Sequence, residues 1–270
     1  MRIKGNSGFG IELVDELTIR KSAQSAGSTR LMRQIEKQIV FQKNFQRDKV
    51  RTPKILRRVK SAGRFYADME FIAAKDFIQF LSEADRQALD GFLKIIIDFI
   101  RRNLDLCEMV DVSGSIEKKL AELKQKNVPA TYISAARKLC RQSVHVPVGP
   151  CHGDLTLSNI LFKNDHLYLL DFLDCYVESP LQDIVKLRQD TRFSWSLELY
   201  QAEFNRAKIQ IALRYLDRHI EAAFQRDDWQ VRHYELFQLL NLMRVLPYCR
   251  ETKTATLVTG GLDRMLNKSL

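Results

Sequence analysis

Residues 151–172 read CHGDLTLSNILFKNDHLYLLDF, a polar loop followed by two short apolar runs. The apolar runs NILF and LYLLDF flank the polar turn KNDH, which is the pattern of a β-hairpin. Three oxygen-bearing side chains, Asp154, Asn159 and Asp171, are distributed around this predicted hairpin. The stretch therefore predicts a site that combines two carboxylates with an amide.

The spacing of these three residues fits one kind of chemistry. Phosphoryl transfer needs one carboxylate that accepts the proton of an acceptor hydroxyl, and a second carboxylate with an amide oxygen to hold Mg²⁺. Protein kinases meet this need with H-R-D-x-x-x-x-N and a later D-F-G, and Asp154 and Asn159 have the same spacing. Turn-forming Asp and Asn residues are the ordinary alternative, but the flanking His-Gly and Leu-Asp-Phe favour a phosphoryl-transfer site.

Taken together, H-G-D-x-x-x-x-N and the hydrophobic-D-F strand end resemble the aminoglycoside phosphotransferase and choline kinase group. This group is the small-molecule branch of the protein-kinase-like fold. The resemblance implies that Asp154 is the catalytic aspartate, that His152 shapes its loop, and that Asn159 and Asp171 are metal ligands. It also implies ATP and Mg²⁺ as cofactors, and transfer of the γ-phosphate to a hydroxyl of a sugar, aminoglycoside or amino alcohol.

The resemblance continues beyond the hairpin. The segment Pro180-Leu181-Gln182-Asp183-Ile184 resembles the family's P-x-x-D-[IL] segment, whose aspartate braces the catalytic loop from a helix start. The helical pattern that follows is expected of the substrate-covering helices in the small-molecule branch. The family pattern varies at Asp174, so no role is assigned to that carboxylate.

The N-terminal part of the chain has mixed strand and helix patterns. Residues 11–23 alternate around an Asp-Glu turn as a hairpin does, and residues 25–44 have the apolar spacing of an amphipathic helix. Two more strands are predicted over residues 54–59 and 65–72. These patterns predict a β-rich unit built around one helix.

After Phe80 the patterns are mainly helical, beginning with Ser82 and Asp85, which resemble a capping box. We therefore expect an α+β protein with the bilobal, protein-kinase-like fold. Residues 1–72 are predicted to form a small, abbreviated nucleotide-binding lobe, and residues 73–270 a larger, mainly α-helical catalytic and substrate-binding lobe.

Candidate nucleotide-binding residues lie before the predicted helix of residues 25–44 and within it. Gly5, Gly8 and Gly10 form G-x-x-G-x-G between two predicted strands, where backbone N–H groups can approach phosphates. Lys21 is placed like the kinase-fold lysine that contacts the α- and β-phosphates, with Glu36 on the next helix as its expected partner. Neighbouring Arg20 is predicted to point to the opposite face of the strand.

The end of the last predicted strand supplies the remaining candidates. Met69, Glu70, Phe71 and Ile72 resemble the lobe-connecting hinge, whose backbone hydrogen-bonds the adenine. The Glu70 side chain itself need not touch the nucleotide.

Composition restricts the class of protein. The chain has 270 residues, 45% of them hydrophobic, and a net charge of +10. These values fit a folded protein and exclude a disordered or disulfide-stapled one. The five widely spaced cysteines suggest reduced thiols in the cytoplasm, and no membrane-spanning segment or nucleic-acid-binding motif is visible.

Two alternatives to a small-molecule kinase stay open on the sequence. The loop HGDLTLSN also resembles atypical protein kinases of the RIO and Bud32 types, which include ATPases. A catalytically silent kinase-like binding module is the second alternative. The positive charge suggests an anionic nucleotide or an acidic acceptor, but the acceptor itself and the oligomeric state are not specified.

Overall fold

The computed structural model describes residues 2–4, 8–46, 49–140, 143–200, 202–249 and 252–267. Gly5 of the predicted glycine loop lies outside the described residues. The chain divides into two compact units, each made of two separate stretches. The first unit combines Met1–Phe80 with Ser158–Asp174, and the second combines Leu81–Leu157 with Cys175–Leu270. The assignment of residues 1–72 and 73–270 to separate functional lobes stays a prediction.

The first part of the chain forms strands around one long helix, as its pattern predicts. In chain order the elements are β1 (Arg2–Lys4), β2 (Gly10–Asp15), β3 (Thr18–Gln24), α1 (Ala26–Asn44), β4 (Val50–Arg51), β5 (Ile55–Ser61), β6 (Arg64–Glu70) and α2 (Phe77–Glu83). The predicted hairpin, helix and two strands are all present.

The middle of the chain contains helices, a short strand pair and the predicted hairpin. Its elements are α3 (Arg86–Leu104), β7 (Glu108–Asp111), α4 (Ser113–Gln125), α5 (Ala130–Leu139), β8 (His145–Val148), β9 (Ile160–Lys163) and β10 (His166–Leu169). The remaining helices are α6 (Pro180–Phe193), α7 (Trp195–Leu199), α8 (Arg206–Phe224), α9 (Asp228–Val245) and α10 (Thr252–Leu266). The predicted α+β class is confirmed.

The first unit is organised by a five-stranded antiparallel sheet in the order β1-β2-β3-β6-β5. Helix α1 covers this sheet, and Leu31 and Ile35 on the helix pack with Phe65 and Ala67 on β6. A second sheet, in the order β4-β10-β9, contains the hairpin of the quoted stretch. Strand β4 pairs in parallel with β10, which attaches the hairpin to the N-terminal stretch of the chain.

The second unit is mainly helical, with β7 and β8 as its two-stranded sheet. Helix α3 begins at Asp85, whose side chain accepts a hydrogen bond from the Ala88 N–H at 2.8 Å. The predicted capping box is therefore wrong, because Ser82 belongs to the preceding helix α2 and Asp85 is itself the N-cap of α3. No helix among the described residues is long and apolar enough to cross a membrane.

Helix α6 is buried on almost every side, including its polar residues. Whole-residue exposure is at most 8% at five polar positions of this helix, Gln182, Asp183, Lys186, Arg188 and Asp190. Buried polar groups are costly unless they have hydrogen-bond or charge partners. Other parts of the second unit must therefore supply partners for the polar side chains of α6.

Candidate active site

The loop that carries Asp154 is held by a carboxylate from α6. The two oxygens of Asp183 accept hydrogen bonds from the backbone N–H groups of His152 and Gly153, both at 2.7 Å. Asp183 and His152 are completely buried, and His152 Nδ1 in turn accepts from the Asp154 N–H at 3.2 Å. Asp183 thus occupies the bracing position predicted for it, and His152 shapes the loop from within.

Asp154 is paired with a lysine that the sequence did not single out. Lys186 Nζ on α6 lies 3.0 Å from Asp154 Oδ1, and the two side chains are 10% and 28% exposed. Burial alone raises the pKa of Asp154, but the Lys186 ammonium, together with His152 and Arg244, outweighs it. The pKa of Asp154 is therefore held below its ordinary value. The side chain is kept as a carboxylate, which is the form that orients a hydroxyl donor.

A second carboxylate from α6 holds the end of the same loop. Asp190 accepts from the Leu157 N–H at 2.5 Å and from the Ser196 N–H at 2.7 Å. Burial raises the pKa of Asp190 to about 6, and nearby Asp154 adds to the rise, while the two N–H donors oppose it. One helix therefore supplies both braces of the loop and the counter-ion of its central aspartate.

Asn159 and Asp171 stand at the same end of the β9–β10 hairpin in the first unit. Ile160 is opposite Leu169 in the ladder, and the Asn159 carbonyl accepts from the Leu170 N–H at 2.9 Å. Asp171 has φ of 59°, in the left-handed region that Asp and Asn tolerate better than most residues. The register places Asn159 opposite Leu170, the residue before Asp171, so both residues lie at the same end of the hairpin.

The Asp171 and Asn159 side chains have the oxygen chemistry of a Mg²⁺ site. No group of three or more His, Cys, Asp or Glu side chains forms a metal cluster within the described residues. Mg²⁺ is commonly bound by one or two protein carboxylates together with substrate phosphates and water, all of them hard oxygen ligands. The Asp171 carboxylate, 39% exposed, and the Asn159 amide fit that mode of binding.

Lys21 extends from β3 toward the same hairpin end. Its Nζ lies 2.7 Å from Asp171 Oδ1 and 3.2 Å from the Gln34 side-chain oxygen, and the residue is 3% exposed. The predicted partner Glu36 is wrong, because its side chain is exposed and Gln34 occupies the contact. Two residues further along a helix corresponds to about 200° around its axis, so Gln34 and Glu36 face opposite directions.

Arg20 is excluded as the phosphate-facing cation, as the alternation of the strand predicts. Its guanidinium forms two hydrogen bonds with Asp68, at 2.6 and 3.0 Å, and lies over the Tyr66 ring. These partners keep Arg20 on the sheet face opposite Lys21.

A cavity of about 140 Å³ lies within the first unit, beside the Lys21–Asp171 pair. Its lining includes Lys21, Gln34 and Asp171, and also the predicted hinge residues Glu70, Phe71 and Ile72. Most of the remaining lining is aliphatic, from Ile11, Ile19, Ile35, Pro53 and Leu161. The cavity thus combines an apolar wall with one ion pair, which suits a flat heterocycle attached to an anionic group.

The last three residues of the predicted hinge differ in the hydrogen bonds of their backbone N–H groups. The Glu70 N–H donates to the Lys54 carbonyl at 2.9 Å, and the Phe71 N–H donates to the Leu17 carbonyl at 2.7 Å. Within the described part of the chain, the Ile72 N–H has no hydrogen-bond partner. Of the hinge amides, the Ile72 N–H is therefore the one available to a ligand.

Gly8 lies between β1 and β2, and Gly10 is the first residue of β2. Gly8 has φ of +74°, which favours glycine, and a Cβ on Gly10 would come within 2.8 Å of Ser22 Oγ. Between them the buried Phe9 ring lies 4.8 Å from Lys21 Nζ and 4.5 Å from the Arg30 guanidinium. Phe9, which sequence reasoning missed, therefore anchors the start of β2 beside Lys21.

The model of a family described as the phosphotransferase enzyme family matches residues 18–218. No curated protein sequence matches the chain.

Several solved structures have a similar fold. The GDP and kanamycin complex of APH(2")-IIia is 14% identical with a TM-score of 0.67, covering 100% of this chain and 93% of that one. The ternary complex of the aminoglycoside phosphotransferase APH(4)-Ia with AMP-PNP and hygromycin B is 15% identical with a TM-score of 0.62, covering 99% and 92%. The aminoglycoside phosphotransferase APH(3'')-Id from Streptomyces rimosus is 14% identical with a TM-score of 0.56, covering 90% and 92%. The resemblance to aminoglycoside phosphotransferases and the protein-kinase-like fold are confirmed.

Proposed function

We propose that this chain, which belongs to the phosphotransferase enzyme family, transfers the γ-phosphate of ATP to a hydroxyl group of a small molecule. The observation that carries the proposal is the Lys21–Asp171 pair beside an apolar cavity whose lining includes the hinge. A nucleotide needs those two surroundings together, an apolar wall for its base and a cation for its phosphates.

In the nucleotide-binding part, the aliphatic lining would contact the adenine, and the Ile72 N–H would donate a hydrogen bond to it. Lys21 would bind the α- and β-phosphates, released from Asp171 when the nucleotide enters. Asn159 and Asp171 would hold Mg²⁺, which when bound neutralises negative charge on the β- and γ-phosphates. The glycine loop, anchored by Phe9 at the start of β2, would offer backbone N–H groups to the phosphates.

In the acceptor part, Asp154 would orient the acceptor hydroxyl and take its proton. The bond between the γ-phosphorus and the bridging oxygen breaks with its electron pair leaving on ADP, and a bond from the acceptor oxygen to phosphorus forms. Because Lys186 keeps Asp154 ionised, the carboxylate is ready to accept a hydrogen bond from the hydroxyl. Most of the rate enhancement then comes from positioning and charge stabilisation.

The proposal is tested with Asp154→Ala. We expect phosphoryl transfer to fall by at least about 10³-fold, because general base and orientation are lost together, while ATP affinity stays near that of the wild type. Transfer is followed with labelled ATP against a panel of sugars, aminoglycosides, amino alcohols and test proteins, and ATP affinity by calorimetry. The protein arm distinguishes a RIO- or Bud32-like kinase, and an arm without acceptor distinguishes an ATPase.

The control is Asp165→Ala, which removes a carboxylate that is 84% exposed in the turn of the same hairpin. Turnover of that variant should match the wild type. Near-normal turnover of Asp154→Ala would contradict the role given to Asp154.

A further inference from the structure

The carboxylates beside the Asp154 loop are already engaged by the protein itself. Glu178 accepts from the Cys175 N–H at 2.7 Å, and Asp183 and Asp190 each accept from two backbone N–H groups. A polycationic acceptor needs carboxylates that can bind its ammonium groups. These three carboxylates instead hold the backbone of the loop and of its neighbours, so they are poorly suited to that role.

The charges that remain near Asp154 are positive. Lys186 neutralises Asp154 through the 3.0 Å contact. Arg244 on α9 donates to the Asn241 side-chain oxygen at 3.3 Å, and its guanidinium lies 5.4 Å from the centre of the Tyr176 ring. Within the described residues, no carboxylate lies at salt-bridge distance from Arg244. A half-buried guanidinium with only neutral partners favours an incoming anion.

The helix contacts place Arg244 on the same side of α6 as Lys186. Gln182 and Lys186 are four residues apart on α6 and therefore share a face. The Asn241 amide donates to the Gln182 side-chain oxygen at 3.3 Å, and Arg244 is three residues beyond Asn241 on α9. The positive charge of Arg244 also acts on Asp154, whose pKa it helps to lower. The second cation thus belongs to the surroundings of the base.

Two buried polar groups in this region lie close to each other. Gln182 is completely buried, and neither its Nε2 nor the Tyr176 hydroxyl has a hydrogen-bond partner of ordinary distance and angle within the described residues. The Gln182 amide acts as a donor toward the Tyr176 oxygen, which leaves the hydroxyl proton of Tyr176 for an acceptor. A guanidinium and a phenol hydroxyl together form a donor set suited to a carboxylate or phosphate oxygen.

We propose that the acceptor is an alcohol that carries an anionic group, bound by Arg244 with Tyr176, while its hydroxyl lies at Asp154. This inference rests on the proposed function and narrows its acceptor class. It disfavours aminoglycosides and amino alcohols, because their ammonium groups would meet Arg244 and Lys186 without a carboxylate to receive them.

The experiment uses four acceptors that share one sugar skeleton: galactose, galactosamine, galacturonate and galactose 6-phosphate. Binding to the full-length protein is measured by calorimetry in the presence of a non-hydrolysable ATP analogue, and transfer by kcat/KM with ATP. We expect galacturonate or galactose 6-phosphate to exceed galactose by about tenfold, with galactosamine the weakest, because a charge-assisted hydrogen bond contributes about that much. The better of the two anions identifies carboxylate or phosphate as the preferred group.

The matched variants are Arg244→Gln and Arg232→Gln, which remove the same charge from the same helix. Arg232 is exposed on α9, so its variant should keep the anion preference, whereas Arg244→Gln should abolish it. Equal binding of all four sugars, a preference for galactosamine, or an anion preference that survives Arg244→Gln would overturn the inference. The phosphotransferase proposal is decided separately, by Asp154→Ala.

Discussion

The two aspartates with proposed catalytic and metal-binding roles are each paired with a buried lysine, but the two lysines are held differently. In the first unit, Lys21 extends from strand β3 to Asp171 and also contacts the neutral side chain of Gln34. In the second unit, Lys186 extends from helix α6 to Asp154. Helix α6 also provides the carboxylates that hold the Asp154 loop.

This difference separates the two tasks of a phosphotransferase. A lysine whose second partner is a neutral amide can turn to an incoming phosphate with a small loss of interaction energy, because that second partner carries no charge. A lysine on the helix that also fixes the loop is part of a rigid frame and acts mainly on the ionisation of its aspartate. The first pair is therefore suited to exchange with a ligand, and the second to keeping a carboxylate charged.

The largest effect that would test this separation is expected for Lys21→Met. Without the lysine, the phosphates lose their cation in the nucleotide cavity, so kcat/KM for ATP should fall by about 10²-fold. The binding of an acceptor should change little. The measurement is steady-state kinetics with varied ATP, together with calorimetric ATP affinity.

The matched control is Arg20→Met on the adjacent position of β3, where the cation binds Asp68 on the other face of the sheet. That variant should keep kcat/KM for ATP close to the wild type. An equal loss in both variants would show that the effect is one of general charge or folding, and the assignment of Lys21 would fail.

A smaller effect is expected for Lys186→Met, and it should appear in the pH profile. In the wild type the pKa of Asp154 lies below its ordinary value, so the carboxylate stays ionised through the mildly acidic range. Without Lys186, burial dominates and raises the pKa of Asp154, so the fall of kcat at low pH should begin at a higher pH. We expect a loss of about tenfold in kcat at the acidic end, with a smaller loss at alkaline pH.

Lys186→Arg retains the positive charge and should restore the position of the acid limb, even if its geometry lowers kcat. A Lys186→Met profile that coincides with the wild type in shape would contradict the charge-keeping role. A uniform loss at every pH would instead indicate a structural role only.

The structural features that the sequence predicted correctly are those fixed by local pattern. The hairpin of residues 160–169 follows from two apolar runs around a polar turn, and its register places Asn159 and Asp171 at the same end. Asp183 reaches the loop because its motif begins a helix at Pro180. The fold class follows from the same alternation of strand and helix patterns.

The parts that it missed depend on tertiary contacts. Lys186 is three residues after Asp183 and so shares its helix face, which is a signal that could have indicated it. The net charge of the chain did not indicate the positive residues near Asp154, because residues 1–80 carry 17 Lys and Arg against eight Asp and Glu. The surplus therefore lies mainly in the N-terminal stretch, and the positive character near Asp154 comes from individual residues such as Arg244.

The smallest effect is expected for Gln34, which contacts Lys21 where the sequence predicted Glu36. Gln34→Met removes the oxygen 3.2 Å from Lys21 Nζ but keeps the length of the side chain. Because one hydrogen bond contributes about 1 kcal/mol, the KM for ATP should rise by roughly threefold to fivefold. Glu36→Gln, on the exposed face of α1, should leave KM unchanged. If Glu36→Gln raised KM and Gln34→Met did not, α1 would have to turn by about half a revolution when nucleotide binds, restoring the lysine–glutamate pair expected from the sequence.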